Sequence, residues 1–143
     1  MKVNSHNEWD KLKEVIVGTP KGTIGTLTWN HQNEPDQKSL EKALKLSKEA
    51  CPKWFYDEVT EDLDNLAKTL ESFNVKVLRP NVFDLEKFHS SPFWTSNSNN
   101  SYNVRDLNLV IGNNVIESPS YLPSSYYESS CLYDIWYDNY FEE

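Results

Sequence analysis

A chain of 143 residues has room for one hydrophobic core and would be crowded by two. Hydrophobic residues at 38% and aromatics at 13%, with five Trp, eight Tyr and six Phe, exclude a disordered polymer. The net charge of -8 is lopsided: every Lys and Arg lies at or before Arg105, and Asp106, Glu117, Glu128, Asp134, Asp138, Glu142 and Glu143 follow with no base. Such a C-terminal third repels nucleic acid and anionic membrane, and suits a cationic small molecule or a basic protein surface. The plainer alternative is a solvated helix that keeps the protein soluble.

The opening residues Met1 to Glu8 lack the apolar core of a signal peptide, and no run of about 18 apolar residues occurs. A soluble, cytoplasmic protein is the expectation. Cys51 and Cys131 form no metal spacing and are expected as free thiols. Asn99-Asn100-Ser101 matches a glycosylation sequon, which has no meaning without secretion.

In chain order, Asn7-Glu8-Trp9-Asp10 is a polar lead-in to a buried strand predicted from Leu12 to Val17, where β-branched residues cluster and Gly18 stops the run. Gly18, Gly22 and Gly25 lie in the loop that follows. Lys21 precedes Gly22 instead of following the last glycine, so a phosphate loop is not spelled and a turn-rich connection is the better reading. Pro35 and Asp36 introduce a helix to about Ala50, with Leu40, Ala43, Leu44 and Ser47 on one face, and Pro52 ends it. A second helix is predicted from Phe55, Val59, Leu63, Leu66, Leu70 and Phe73, spaced by threes and fours, with Asp57, Glu58, Glu61 and Asp62 near its start and Asn74 as breaker. Val75 to Pro80 is a short strand, which completes the order strand, helix, strand.

From Asn81 to Ser101 the pattern fades into a polar loop, with Phe88, Phe93 and Trp94 expected to anchor it to the core. Leu107, Leu109, Val110 and Ile111 then form one strand and Val115 and Ile116 another, around a Gly112-Asn113-Asn114 turn. A last helix is expected, capped by Ser124 or Ser125, with Tyr126, Leu132 or Tyr133, Trp136 and Tyr140 on its apolar side. Leu12 to Gly18 and Leu107 to Gly112 echo each other in a Leu, a Val-Ile pair and a closing Gly, which fits two modules of one design.

Most catalytic constellations fail on inventory. His6, His31 and His89 have no helical pairing or carboxylate cluster for a metal, no G-x-S-x-G elbow exists, and either cysteine would need a base brought from afar. What remains is Arg105-Asp106 at the start of a strand. A carboxylate matches the planar fork of guanidinium N-H donors. It could equally pair with Arg105 or cap a turn.

The strings Asn7-Glu8-Trp9-Asp10, Leu12 to Gly18, Val75 to Pro80 and Arg105-Asp106 through Gly112-Asn113-Asn114-Val115-Ile116-Glu117-Ser118-Pro119 together resemble the N-terminal part of the glycine and inosamine-phosphate amidinotransferases. Tyr126-Tyr127-Glu128 through Tyr140-Phe141 resembles that family's next helix. The resemblance implies an α/β fold, a partial pentein-type propeller of one to two ββαβ-like modules, with a mixed sheet and flanking helices in a single domain over residues 1–143. It implies a reaction in which a cysteine thiolate takes the amidino group from arginine and hands it to an amine, with a histidine acid/base, no cofactor and no metal. The family's guanidinium-holding aspartate falls on Asp106, beside Arg105.

Two departures stand out: Val104 replaces a proline before the arginine, and Leu122-Pro123-Ser124-Ser125 replaces arginines early in the next helix. The family's histidine and nucleophilic cysteine lie downstream, so no catalytic residue is expected within these 143 residues and the chain alone is expected to be inactive. Open strand edges would favour a homo-oligomer or a complementary chain. Two other functions compete: a guanidine hydrolase of the deiminase or dimethylarginine hydrolase type, and a non-catalytic protein that binds a partner through its acidic last helix.

Overall fold

The computed structural model describes residues 3–21, 52–82, 88–92, 95–97, 102–118, 120 and 125–141. The expected first helix, the glycines Gly22 and Gly25, Cys51, His31, Phe93 and Trp94 lie outside the described residues. In order come β1 (Glu14–Ile16), α1 (Lys53–Ser72), β2 (Lys76–Leu78), β3 (Phe88–Ser90), β4 (Thr95–Asn97), a 3-10 turn (Val104–Asp106), β5 (Asn108–Ile111), β6 (Asn114–Glu117), a 3-10 helix (Glu128–Leu132) and α2 (Tyr133–Phe141). The architecture is α/β, as expected. Among the described residues the strands form three two-stranded sheets, and neither one continuous mixed sheet nor a closed barrel is seen. Strands of three or four residues offer too few ladder bonds to bind a wide sheet by themselves.

The strand-helix-strand unit is built as the sequence suggests. β1 and β2 run parallel with Val15 opposite Val77 and Ile16 opposite Leu78, which requires the intervening crossover that α1 helps to supply. The ladder continues beyond the strands, Val17 N-H donating to the Leu78 carbonyl at 3.0 Å and Lys76 N-H to that of Lys13 at 2.8 Å. β1 is shorter than the predicted Leu12 to Val17 because its ladder partner is only three residues long.

Asn74 ends α1 by adopting φ of 59°, a conformation its short polar side chain tolerates. Its N-H donates to the Glu71 carbonyl and the Val75 N-H to that of Leu70, so two otherwise orphaned carbonyls are satisfied as in a Schellman ending. The chain leaves this cap directly into β2. The buried stripe of α1 differs from the sequence expectation: Ala67 is buried and Val59, Leu63 and Leu70 half-buried, whereas Phe55, Leu66 and Phe73 are exposed. The helix is apolar on more than one side, and a spacing rule alone cannot say which side the sheet takes.

The second part of the fold centres on Leu107, Cys131 and Leu132, all at most 5% exposed, with Ile16, Val104, Ile135 and Trp136 packed around them. β1, the turn before β5 and the start of α2 thus share one core. The last helix is corrected in its start: residues 128–132 wind as a 3-10 helix and α2 begins only at Tyr133, so Ser125 does not cap it, and Ser124 lies outside the described residues. Leu132 and Trp136 face inward as expected, but Tyr126 and Tyr140 do not. Among the described residues no helix is long and apolar enough to cross a membrane.

Candidate functional site

The predicted hairpin is present and holds Arg105 and Asp106 at its open end. β5 and β6 pair antiparallel from Asn108 opposite Glu117 to Ile111 opposite Asn114. Gly112 turns the chain with φ of 59°, a left-handed value at the first central position that glycine supplies without steric penalty. The N-terminal segment then clamps the tip: Ser5 and Gly112 exchange both backbone bonds, at 2.9 and 2.6 Å. A Cβ on Gly112 would stand 3.2 Å from Cε1 of His6. The Asn-Glu-Trp-Asp string gains a physical role here, since the Asn7 side chain accepts from the N-H groups of Trp9 and Asp10 and donates to the Asp10 carboxylate at 2.8 Å. That local turn fixes how the segment approaches β1.

Arg105 and Asp106 lie in the 3-10 turn, not at the first strand position expected. Asp106 N-H donates to the Asn103 carbonyl at 3.0 Å and Leu107 N-H to that of Val104 at 3.3 Å. Val104 packs on the core and Leu107 is buried, so the two charged residues between them are presented to solvent from a fixed base. Arg105 Nε stands 3.6 Å from Asp106 Oδ1, with the side chains 94% and 63% exposed. The structural alternative raised for Asp106 is therefore present, but as a long, solvent-screened contact that holds neither group firmly.

Two polar residues of this hairpin escape sequence reasoning. Asn108 sits in an otherwise apolar strand, and its Nδ2 is shielded from solvent without a hydrogen-bond partner. Glu117, opposite it, accepts a hydrogen bond from the Ser129 hydroxyl. The polar break at Asn108 in a run of Leu, Val and Ile was the one visible signal.

The other candidates are set aside by geometry. Cys131 is 3% exposed, and burial, aided by the negative charge of Glu128, pushes its thiol from 9.0 up to about 12; such a thiol is no nucleophile near neutral pH. His6 lies against the hairpin tip and His89 against the Tyr127 ring at 4.9 Å. Among the described residues no three His, Cys, Asp or Glu side chains gather to hold a metal. A groove of about 360 Å³ along α1 and a hollow of about 210 Å³ beside Arg79 are not lined by Asp106.

Inosamine-phosphate amidinotransferase 1 of Streptomyces griseus is 34% identical over 137 residues, which is 93% of this chain and 39% of that protein. The solved inosamine-phosphate amidinotransferase of the same organism superposes with a TM-score of 0.79 over 96% of this chain and 40% of its own, at 30% identity. The chain is similar to amidinotransferases over 93% of its length. L-arginine:L-lysine amidinotransferase of Pseudomonas savastanoi pv. phaseolicola is 31% identical over 90% of this chain and 36% of its own length. No protein-family model matches the chain. The chain spans about two fifths of the length of these relatives.

Proposed function

We propose that this chain is the N-terminal, guanidinium-binding portion of an amidinotransferase, a single domain in which Asp106 receives the guanidinium of arginine. The observation that supports the reading most is the presentation of Asp106: a carboxylate 63% exposed, on a turn anchored by buried Leu107, in a chain 34% identical to an amidinotransferase. A fixed carboxylate orients the planar group and offsets its charge before attack. Arg105 gives up its loose contact with Asp106 when the substrate arrives. The thiolate nucleophile and the histidine acid/base are assigned to the part of the relatives that this chain does not match, and the 143 residues alone carry no transferase activity. A free Cys131 fits the reducing, cytoplasmic setting of this reading. Two-stranded sheets fit association with a complementary chain or a second copy through their edges.

The test is a chimera in which this chain replaces the matching stretch of inosamine-phosphate amidinotransferase 1 of Streptomyces griseus. Amidino transfer from arginine is expected to persist and to fall about a hundredfold or more with Asp106→Ala. An Asp106→Ala chimera as active as its parent sinks the assignment. Transfer of the amidino group from arginine to glycine by the purified 143-residue chain would refute its inactivity.

A further inference from the structure

At the open end of the hairpin the ladder closes on two polar side chains. Asn108 stands opposite Glu117, and the 2.8 Å bond from the Ser118 N-H to the Leu107 carbonyl on the adjacent rung makes them a non-hydrogen-bonded pair, whose side chains lie close together on one face. Ser129, 4% exposed, donates its hydroxyl to Glu117 Oε1. This face of the hairpin is therefore joined to the 3-10 helix of residues 128–132.

Asp106 is linked to that rung through Leu107 alone. The Leu107 side chain packs with Cys131 and Leu132 of the same 3-10 helix. Apolar contact is not directional, so it fixes how deep the hairpin sits and leaves it free to pivot. A hydrogen bond from a hydroxyl to a carboxylate is directional and charge-assisted, and it removes the pivot.

We infer that Glu117, held by the Ser129 hydroxyl, is a positioning residue that sets the angle of the turn carrying Asp106, so that this carboxylate meets the arginine guanidinium in the plane two parallel hydrogen bonds require. The inference rests on the reading of Asp106 as guanidinium receptor. Glu117 itself touches no substrate, and its hydrogen bond rather than its charge is the agent. A misplacement of about 1 Å at a binding group is enough to be felt in the kinetics.

The chimera proposed above is assayed with arginine and the acceptor amine varied separately. Glu117→Leu and Ser129→Ala are each expected to raise KM for arginine about tenfold and to leave KM for the acceptor as in the parent, and the double variant to do no more than either alone, because both remove one bond. Glu117→Gln, whose amide oxygen still accepts from Ser129, is expected to lie within about threefold of the parent. In the full 143-residue chain, amide hydrogen exchange at Asp106 and Leu107, both bonded within the turn, is expected to quicken about tenfold in Ser129→Ala while that of Val17 stays unchanged. If Glu117→Leu does not fold, Ser129→Ala, which loses only a hydroxyl, and Glu117→Gln carry the test. A loss in kcat with both KM values unchanged overturns the inference, since that is a loss of folded enzyme. So does Glu117→Gln impaired as much as Glu117→Leu, because charge is then the agent, and so does unchanged exchange at Asp106 and Leu107. Asp106→Ala separates the two ideas: a variant as active as its parent overturns the guanidinium reading and this inference together, whereas a strong loss there beside a parental arginine KM in Glu117→Leu and Ser129→Ala overturns the positioning role alone.

Discussion

The Arg79 guanidinium reaches the Gly18 carbonyl through Nη1 at 2.6 Å, from a position just after β2 to one just after β1. Nη2 donates in addition to the Leu63 carbonyl at 3.1 Å and to Asp64 Oδ1 at 2.8 Å, so one side chain ties both parallel strands to the middle of α1. Arg79→Ala is expected to destabilise the fold by about 2–4 kcal/mol in urea unfolding, because hydrogen bonds from a charged donor outweigh neutral ones. Asp64→Ala removes the more exposed acceptor and should cost under about 1 kcal/mol. Equal losses in the two variants would contradict this division of roles.

Gly112 bears two separate constraints, its backbone conformation and the His6 ring. Gly112→Ala is expected to cost about 1–2 kcal/mol from the left-handed φ alone. The steric part lies in the 3.2 Å approach to Cε1 of His6. A cycle of Gly112→Ala, His6→Ala and the double variant separates them: a positive coupling measures the clash, and the remainder belongs to φ. No coupling would mean that His6 swings aside freely.

Leu132, 1% exposed, and Tyr137, 58% exposed, lie on the same C-terminal stretch and should behave oppositely. Leu132→Ala opens a cavity under the hairpin and is expected to cost about 2–5 kcal/mol. Tyr137→Ala should stay within about 0.5 kcal/mol in the isolated chain. Denaturant midpoints of the two variants give the comparison directly.

The buried thiol sets an alkaline limit. The folded pKa of Cys131 is raised from 9.0 to about 12. Below the lower value both states keep the proton and stability is undiminished. Between the two values the unfolded chain loses its proton while the folded chain retains it, so stability falls by up to about 1.4 kcal/mol per pH unit. Cys131→Ala should flatten that part of the pH profile relative to the parent. In the folded chain at pH 8, a thiol-specific reagent should modify Cys131 only at the rate of unfolding.

The parts of the fold that were legible in the sequence are those set by local chemistry. Asn74 as helix breaker, Gly112 as turn and the alternation through β5 and β6 each follow from what one residue's backbone prefers. The parts that were not legible depend on what lies across the molecule. The stripe of α1 that meets the sheet could not be chosen from periodicity, because Phe55, Leu66 and Phe73 are as apolar as the residues that are buried. The onset of α2 at Tyr133 was obscured because a 3-10 helix and an α-helix share similar spacing over one turn. At the site, Arg105-Asp106 stood out as the last base beside an acid, whereas Asn108 is distinguished by a missing partner, a property only coordinates reveal.

The backbone exchange between Ser5 and Gly112 has a consequence for biogenesis. Ser5 leaves the ribosome with nothing to pair with, and its docking site is made only once the distant Gly112 has been synthesised. β1 is in a similar position, since β2 is translated only after α1. The apolar run around Val15 and Ile16 therefore waits exposed during translation, which places a window for nascent-chain aggregation, and for chaperone engagement, before β2 is made.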